Sequence, residues 1–572
     1  MVAPTQKLLK IHSIICLIIA IEIFFCLSAF PQNNQLITAN DYLNARGEVY
    51  FRFNYDSPDK NLLSKTISID RIIGDTIYAY ANAKGFNSFL LLRIKFEVLI
   101  PPSLQISDEK LKRTKSSGLW DYYPSYDQYL SIMDSFVIKY PSICKLSEIG
   151  TTVAGRKLLY LKISDNVAQK EAEPEFMFTS SMHGDEVTGY ILLLHLIDYL
   201  LSNYEKDSMV TNLVNNIEIW INPLANPDGT YKSGNNSVAG ATRFNANNID
   251  LNRNYPDPQA GQHPDGEAWQ PETSASMGFM QLHNFVFSAN YHGGSEVLNY
   301  PWDTWPRLHA DNDWFVSVAK QYADTAKKFG GSNYFSDVNA DGYTDGYAWY
   351  TVQGGRQDYM TYFMNGREIT IEVSETKTPA GSDLPEYWNY NYKSMLHYIG
   401  QCLYGIRGII TDSVTGSPIK AKIEVLNHDA DNSFIYSSAA NGDYHRMIYP
   451  GGYDLKFSAP GYSDRTFNGI VVESSTSIYN LNVKLSPFIN SNYIPNPFSE
   501  QIVINQTLPA DGYLNITIYD ISGKEVYQSG DEFLLAGPIT YTVPAANFDK
   551  GIYLCKIIFN GSLQKAVKLV KL

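Results

Sequence analysis

Helical periodicity stops at Tyr404, and that boundary constrains the fold more than any other feature of the chain. Between about Leu119 and Leu403, apolar strand-like runs alternate with amphipathic segments such as Tyr190–Tyr204. This alternation predicts an α/β domain, a mixed and mainly parallel sheet with helices on both faces. At 285 residues (119–403), it is the one segment long enough to enclose a deep cleft. Beyond Tyr404 come short alternating strands, GIRGII, AKIEVL, YDLKFSA and NLNVKLS, punctuated by GSP, NGD, PGG and APG turns. They predict a small β-sandwich over 404–486. The Pro/Asn-rich stretch SPFINSNYIPNPF then opens a second small β-sandwich over 487–572.

Three pieces precede the α/β segment. In residues 1–30, Lys7 and Lys10 lead into an apolar run from Ile11 to Leu27, and Ser28-Ala29 follow. That is a signal-peptide layout. A membrane anchor is the other reading, and Glu22 weighs against both. No second run of that length occurs, so export is expected, with no stable membrane span after the signal is removed. Residues 31–102 alternate strand-like GEVYFRF and DTIYAYA with an amphipathic run near Leu62–Ile67 and a helical GFNSFLLL leading into IKFEVLI, a small α+β unit. Residues 103–118 contain SDEKLKRTKSSG and read as a linker.

Composition removes some function classes. With 44% apolar and 13% aromatic residues, core material is ample and the chain is not mainly disordered. A net charge of −14, from 59 acidic and 45 basic residues, argues against nucleic-acid binding. Cys16 and Cys26 fall in the signal, leaving Cys144, Cys402 and Cys555 scattered singly. A Cys144–Cys402 disulfide is possible, but buried thiols are the expectation, and no spacing suggests a cysteine metal site.

Four stretches carry candidate chemistry. In FMFTSSMHGDEVTGY, His183 and Glu186 stand on the loop after a strand, and imidazole and carboxylate three apart can converge on one metal ion. Such pairs also arise by chance; His195, inside ILLLHLIDYLL, is expected simply to pack in its helix. His292 ends the apolar strand NFVFSANYH and precedes two glycines that allow close approach. In REITIEVSETK, Ile369, Ile371 and Val373 share one face, and Glu372 interrupts an otherwise apolar strand. A carboxylate there is costly unless it is paired or at the mouth of a site. Arg243 precedes the Asn252-Arg253 step by nine residues, and that step on a loop can hold a carboxylate bidentately.

The ordered motifs HGDE, NPDG, TRFNANNIDLNRNYPD, NYHGG…NYPWD, DGYAWYTVQGGRQD and EITIEVSETK resemble those of zinc carboxypeptidases of the A/B superfamily, most of all its N/E branch. The resemblance covers residues 119–403. It implies one zinc ion (Zn2+) held by His183, Glu186 and His292, with Glu372 as the glutamate that activates water. It implies Arg243 as the residue polarising the scissile carbonyl, and Asn252 and Arg253 as anchors of the substrate's terminal carboxylate. Tyr350 matches a tyrosine that closes over the substrate, while Asp303 and Gln357 match positions lining a pocket for C-terminal Lys or Arg. The chain departs from the animal enzymes at Asp185, commonly Asn there, and at Arg356, where they have Met.

The flanks carry resemblances too. Residues 404–486 look like a transthyretin-like sandwich. Residues 487–572, with YIPNPF, ITIYDISGKEVY, FDKGIYLCKI and KAVKLVKL, are similar to type IX secretion sorting domains. The second half of the 31–102 unit, FNSFLLLRIKFEVL, is similar to procarboxypeptidase activation segments. Together these imply a secreted or cell-surface carboxypeptidase acting on peptide or protein C-termini, with basic preference, that engages the type IX secretion machinery and no nucleic acid. Two alternatives stay open: a same-fold muropeptide peptidase or deacylase, and a catalytically silent binding or adhesion protein.

Overall fold

The computed structural model describes residues 34–55, 63–113, 118, 120–486, 494–508, 511–535 and 537–572. The expected signal peptide lies outside them. Among the described residues, no helix is long and apolar enough to cross a membrane. Chain contacts divide the molecule into two compact units, the second formed by Thr411–Ser417, Ser458–Arg465 and Lys484–Leu572 and the first by the rest.

The first unit opens with a helix over 34–46 and a four-stranded antiparallel sheet. Its strands are β1 (Val49–Asn54), β2 (Ser68–Ile73), β3 (Thr76–Ala81) and β4 (Phe96–Val98), in the order β2-β3-β1-β4. The helix Ala83–Leu91 contributes Phe86 and Phe89 to a core with Phe51, Phe53 and Phe96. Sequence reading missed β2. Its charged pair Asp70-Arg71 breaks the apolar alternation, and it is held only as an edge strand hairpinned to β3 through Gly74, at φ +57°.

The large sheet has eight strands: β5 (Cys144–Thr151), β6 (Lys157–Ile163), β7 (Glu175–Ser180), β8 (Glu218–Asn222), β9 (Phe285–His292), β10 (Ser295–Tyr300), β11 (Tyr343–Asp345) and β12 (Arg367–Ser374). The order is β11-β10-β12-β9-β7-β8-β6-β5. Its centre, β12-β9-β7-β8, is parallel, as is β10-β11, whereas β10-β12, β6-β8 and β5-β6 are antiparallel. Alternate residues of β7 explain the two covered faces. Phe176 and Phe178 enter one core with Leu193, Leu196 and Leu200 of the helix Thr188–Asn203. Met177 enters another with Tyr160, Trp220 and Met280 of the helix Pro271–Gln281. As expected, His195 packs, its ring stacked 3.8 Å from Trp388, and Cys144, Cys402 and Cys555 are buried free thiols.

The strands Gly405–Asp412, Asp443–Arg446 and Ile478–Asn480 form one further sheet; Lys422–Val425, Ile435–Tyr436, Gly451–Ser458 and Arg465–Val472 form another. A buried ion network ties this region to the large sheet. Asp311 pairs with Arg367 of β12 at 2.5 Å and with Arg446 at 2.9 Å. Replacing Asp311 by Ala leaves two buried guanidiniums facing each other, and should destabilise the chain by about 3 kcal/mol, read as a lower urea midpoint. The second unit is all β, its core built from Ile502, Ile504, Ile516, Ile518, Cys555 and Ile557.

Candidate metal centre and active site

β7 and β9 are adjacent and parallel, with Ser180 opposite Tyr291, so their C-terminal ends open into the same crevice. Ser181, at φ +55°, turns the chain out of β7 and donates its Oγ to the Glu186 carbonyl at 3.0 Å. Gly184 is required next: a Cβ there would lie 2.4 Å from the Gly229 backbone. The loop thereby presents His183 and Glu186 to His292, the last residue of β9.

The three side chains converge. His183 Nδ1 lies 3.0 Å from Glu186 Oε1, and His292 Nδ1 lies 2.8 Å from Glu186 Oε2 and 3.1 Å from His183 Nδ1. Two imidazoles and one carboxylate, all buried and with donor atoms within 4.8 Å of one another, match in kind the donor set that an open catalytic zinc site uses. A proton on His183 Nε2, donated to Asp250 at 3.0 Å, leaves the Nδ1 lone pair facing the cluster. Burial holds the His292 imidazole neutral by pushing its pKa down to about 4. Burial alone would raise the Glu186 carboxyl, but the neighbouring His183, the Lys377 ammonium and His292 outweigh it and hold the group well below its usual range. The residues present therefore fit a divalent metal.

Glu372 stands on β12 directly across the parallel register from His292. Burial, reinforced by the Glu186 charge, pushes its carboxyl well above the usual range. Its Oε2 is buried without a hydrogen-bond partner among the described residues. Arg243 donates from Nε to Asp250 at 3.1 Å and from Nη1 to Glu186 at 3.3 Å, which aims it at the same cavity. Arg253 uses Nη1 on the Asn252 carbonyl, whereas its Nε and Nη2 are buried with no partner among the described residues. Two idle guanidinium donors beside a metal-type cluster form a receptor for a planar anion.

Asp303 is buried and accepts from Asn299 Nδ2 and Gln357 Nε2, each at 3.0 Å. Gln357 is fixed from behind by accepting the Thr370 amide at 2.8 Å. One cavity is lined by His183, Glu186, Arg243, Asn252, Arg253, His292, Asp303, Tyr350 and Glu372, so nine of the ten expected site residues meet; Gln357 sits behind Asp303. Sequence reasoning missed Asp250, Lys377 and Asp70. Asp250 lies within the NIDLNRN motif, and its signal was legible as a carboxylate two residues before Asn252. Lys377 ion-pairs with Glu186 at 2.6 Å and with Asp70 of β2 at 2.7 Å. The two departures also find partners: Asp185 accepts from Tyr80 at 2.8 Å, and Arg356 reaches both oxygens of Glu368 at 2.9 and 2.7 Å.

Comparisons with known proteins assign families to three segments of the chain. The zinc carboxypeptidase profile matches residues 129–394, the carboxypeptidase regulatory-like domain 405–486, and the secretion system C-terminal sorting domain 492–571. Human carboxypeptidase D is 38% identical over 373 residues, covering 62% of this chain and 26% of that protein. The chain thus spans only about a quarter of that relative's length. Mouse carboxypeptidase M is 35% identical over 58% of this chain and 77% of its own length; the mouse carboxypeptidase N catalytic chain is 32% identical over 63% and 86%. The sorting domain marks the protein as secreted or displayed at the cell surface. With HGDE, NIDLNRN and EITIEVSETK folded into one cavity and relatives matched over most of their length, the chain belongs to the zinc carboxypeptidase family.

Proposed function

We propose that the protein is a metallocarboxypeptidase that removes C-terminal Lys or Arg from peptides or proteins after export by type IX secretion. The idle Nε and Nη2 of Arg253 are the observation that carries the exopeptidase reading. Only a free C-terminus supplies a carboxylate to fill them, and an amidated end leaves a buried charge unpaired.

His183, Glu186 and His292 would hold one zinc ion, which when bound supplies Lewis-acid polarisation and a water acidic enough to lose its proton near neutrality. Glu372 takes that proton and returns it to the leaving amine, a role suited to a carboxyl pushed upward by burial. Arg243, steadied by Asp250, donates to the carbonyl oxygen as negative charge develops on it. Asn252 and Arg253 fix the terminal carboxylate, and Tyr350 closes beside them. Asp303, oriented by Asn299 and Gln357, receives the cationic side chain. The acid at that position supports basic over aromatic preference.

The test is a set of peptides identical except for the last residue, given to the zinc-loaded full chain. Arg and Lys should leave at least about tenfold faster than Phe or Leu, a difference one charged hydrogen bond supplies. The amidated peptide should stay intact. Equal cleavage of free and amidated ends overturns the exopeptidase reading.

A further inference from the structure

Substrate binding and proton transfer give no role to Lys377, a lysine whose side chain is only 2% exposed. Its Nζ lies 2.6 Å from Glu186 Oε1 and 2.7 Å from Asp70 Oδ1. An ammonium buried between two carboxylates is costly to desolvate, and here one of the two belongs to the metal-type cluster. We infer that Lys377 acts through Glu186 to weaken the site's hold on its metal and to leave that metal a stronger Lewis acid. This rests on the reading of His183, Glu186 and His292 as the ligands of one zinc ion.

The surroundings hold the lysine in place from several sides. Lys377 stands on the loop that follows β12, and that loop is laced to the one carrying His183 and Glu186. The Val187 amide donates to the Lys377 carbonyl at 3.0 Å, and Thr378 Oγ1 donates to the Asp185 carbonyl at 3.0 Å. Ser374 Oγ and Thr188 Oγ1 lie 2.8 Å apart. Gly294, at φ +116°, makes room for the lysine stem, because a Cβ there would stand 3.2 Å from Lys377 Cε. The Tyr80 ring flanks the ammonium with its centroid 5.3 Å away. With the stem fixed, the charge is delivered to Glu186.

Glu186 divides its two oxygens. Oε2 meets His292 Nδ1 at 2.8 Å and the Gly293 amide at 3.2 Å. Oε1 meets the ammonium, with His183 Nδ1 and Arg243 Nη1 farther off at 3.0 and 3.3 Å. A carboxylate that shares its charge with an ammonium donates less to a metal, and the ammonium itself repels a cation beside it. Both effects lower metal affinity and raise Lewis acidity. Arg243 differs, because Asp250 answers its charge at 3.1 Å. Asp70 pulls the other way. It shares the Lys377 ammonium with Glu186 at nearly equal distance, so loss of the Asp70 charge leaves Glu186 facing the whole of it. Removing the lysine charge and removing the aspartate charge should therefore act on metal affinity with opposite signs.

The experiment strips the full chain of metal and titrates it with zinc against a chromogenic chelator, for wild type, K377M and D70N. K377M keeps much of the stem's volume and removes the charge. It should bind zinc about 10- to 100-fold more tightly, and D70N about three- to tenfold more weakly, as unit charges within about 10 Å act at an effective dielectric constant of about 20. At saturating zinc, K377M should release Arg from a peptide about tenfold more slowly, the mark of a weaker Lewis acid. A lysine that merely propped up the ligand loop would make K377M bind zinc more weakly, in step with a lower urea midpoint of the metal-free chain. Equal or weaker zinc binding by K377M overturns the inference, and so does tighter binding with an unchanged rate. D70N that binds zinc as tightly as wild type also overturns it, even where K377M fails to fold. A wild-type chain that binds zinc but releases no Arg overturns the carboxypeptidase reading, while the order of zinc affinities still decides this inference. A chain that binds no zinc overturns the metal reading and this inference together.

Discussion

Replacing Glu372 by Gln should lower kcat/KM for release of a C-terminal residue by about a hundred- to ten-thousand-fold while the bound zinc stays at the wild-type level. The substitution keeps the volume and removes only the ability to accept and return a proton. Glu372 lies opposite His292 in the sheet register without contributing to the three-residue donor cluster, so metal content should not respond. Metal analysis of the purified variant, with rates measured on the same preparation, checks the claim. His292→Ala gives the opposite signature, losing metal and rate together. A Glu372→Gln protein that keeps wild-type rates would remove the enzyme reading, and one that loses zinc would make Glu372 a ligand. Chelation followed by zinc addition should abolish and restore release in the wild type and restore nothing in the Gln variant.

The site was legible in the sequence to the extent that each group announces itself locally. His183 and Glu186 share a loop, His292 ends an apolar strand, and Glu372 is an acid where the strand pattern demands an apolar residue. Their convergence follows from parallel pairing of β7, β9 and β12, which the alternation of strand and helix predicts. What escaped was of two kinds. Asp250 and Lys377 act through other side chains, and a second carboxylate or lysine near a motif has no periodicity to mark it. Asp70 was hidden for a different reason. It lies on an edge strand whose alternation is broken by Asp70-Arg71, so β2 was not read as a strand, and a contact between 70 and 377 leaves no local trace.

Asp303→Ala should collapse the preference for Arg over Phe by about 10- to 100-fold, through loss of one buried charge-assisted hydrogen bond. The fall should appear in kcat/KM for Arg peptides and leave Phe peptides within about threefold. Acidity supplies an independent check. Burial pushes the Asp303 carboxyl up to about 7, against the hydrogen bond from Asn299, with the Asp345 charge adding to the rise. In the free enzyme the group is therefore mostly neutral on the acid side of that value and mostly charged above it. Because kcat/KM reports ionisations of the free enzyme, the Arg-to-Phe ratio should climb as the pH is taken from about 6 to 8. Protonation of the peptide's own guanidinium does not change over that range, so the climb belongs to the pocket. In Asp303→Ala the ratio should be low and flat. Gln357→Leu provides the graded case: Asp303 keeps Asn299 but loses one of its two donors, and Gln357 no longer holds the Thr370 amide. With one donor fewer stabilising the carboxylate, the pH at which the preference appears moves upward, whereas a pocket that selected by shape alone would leave it where it was.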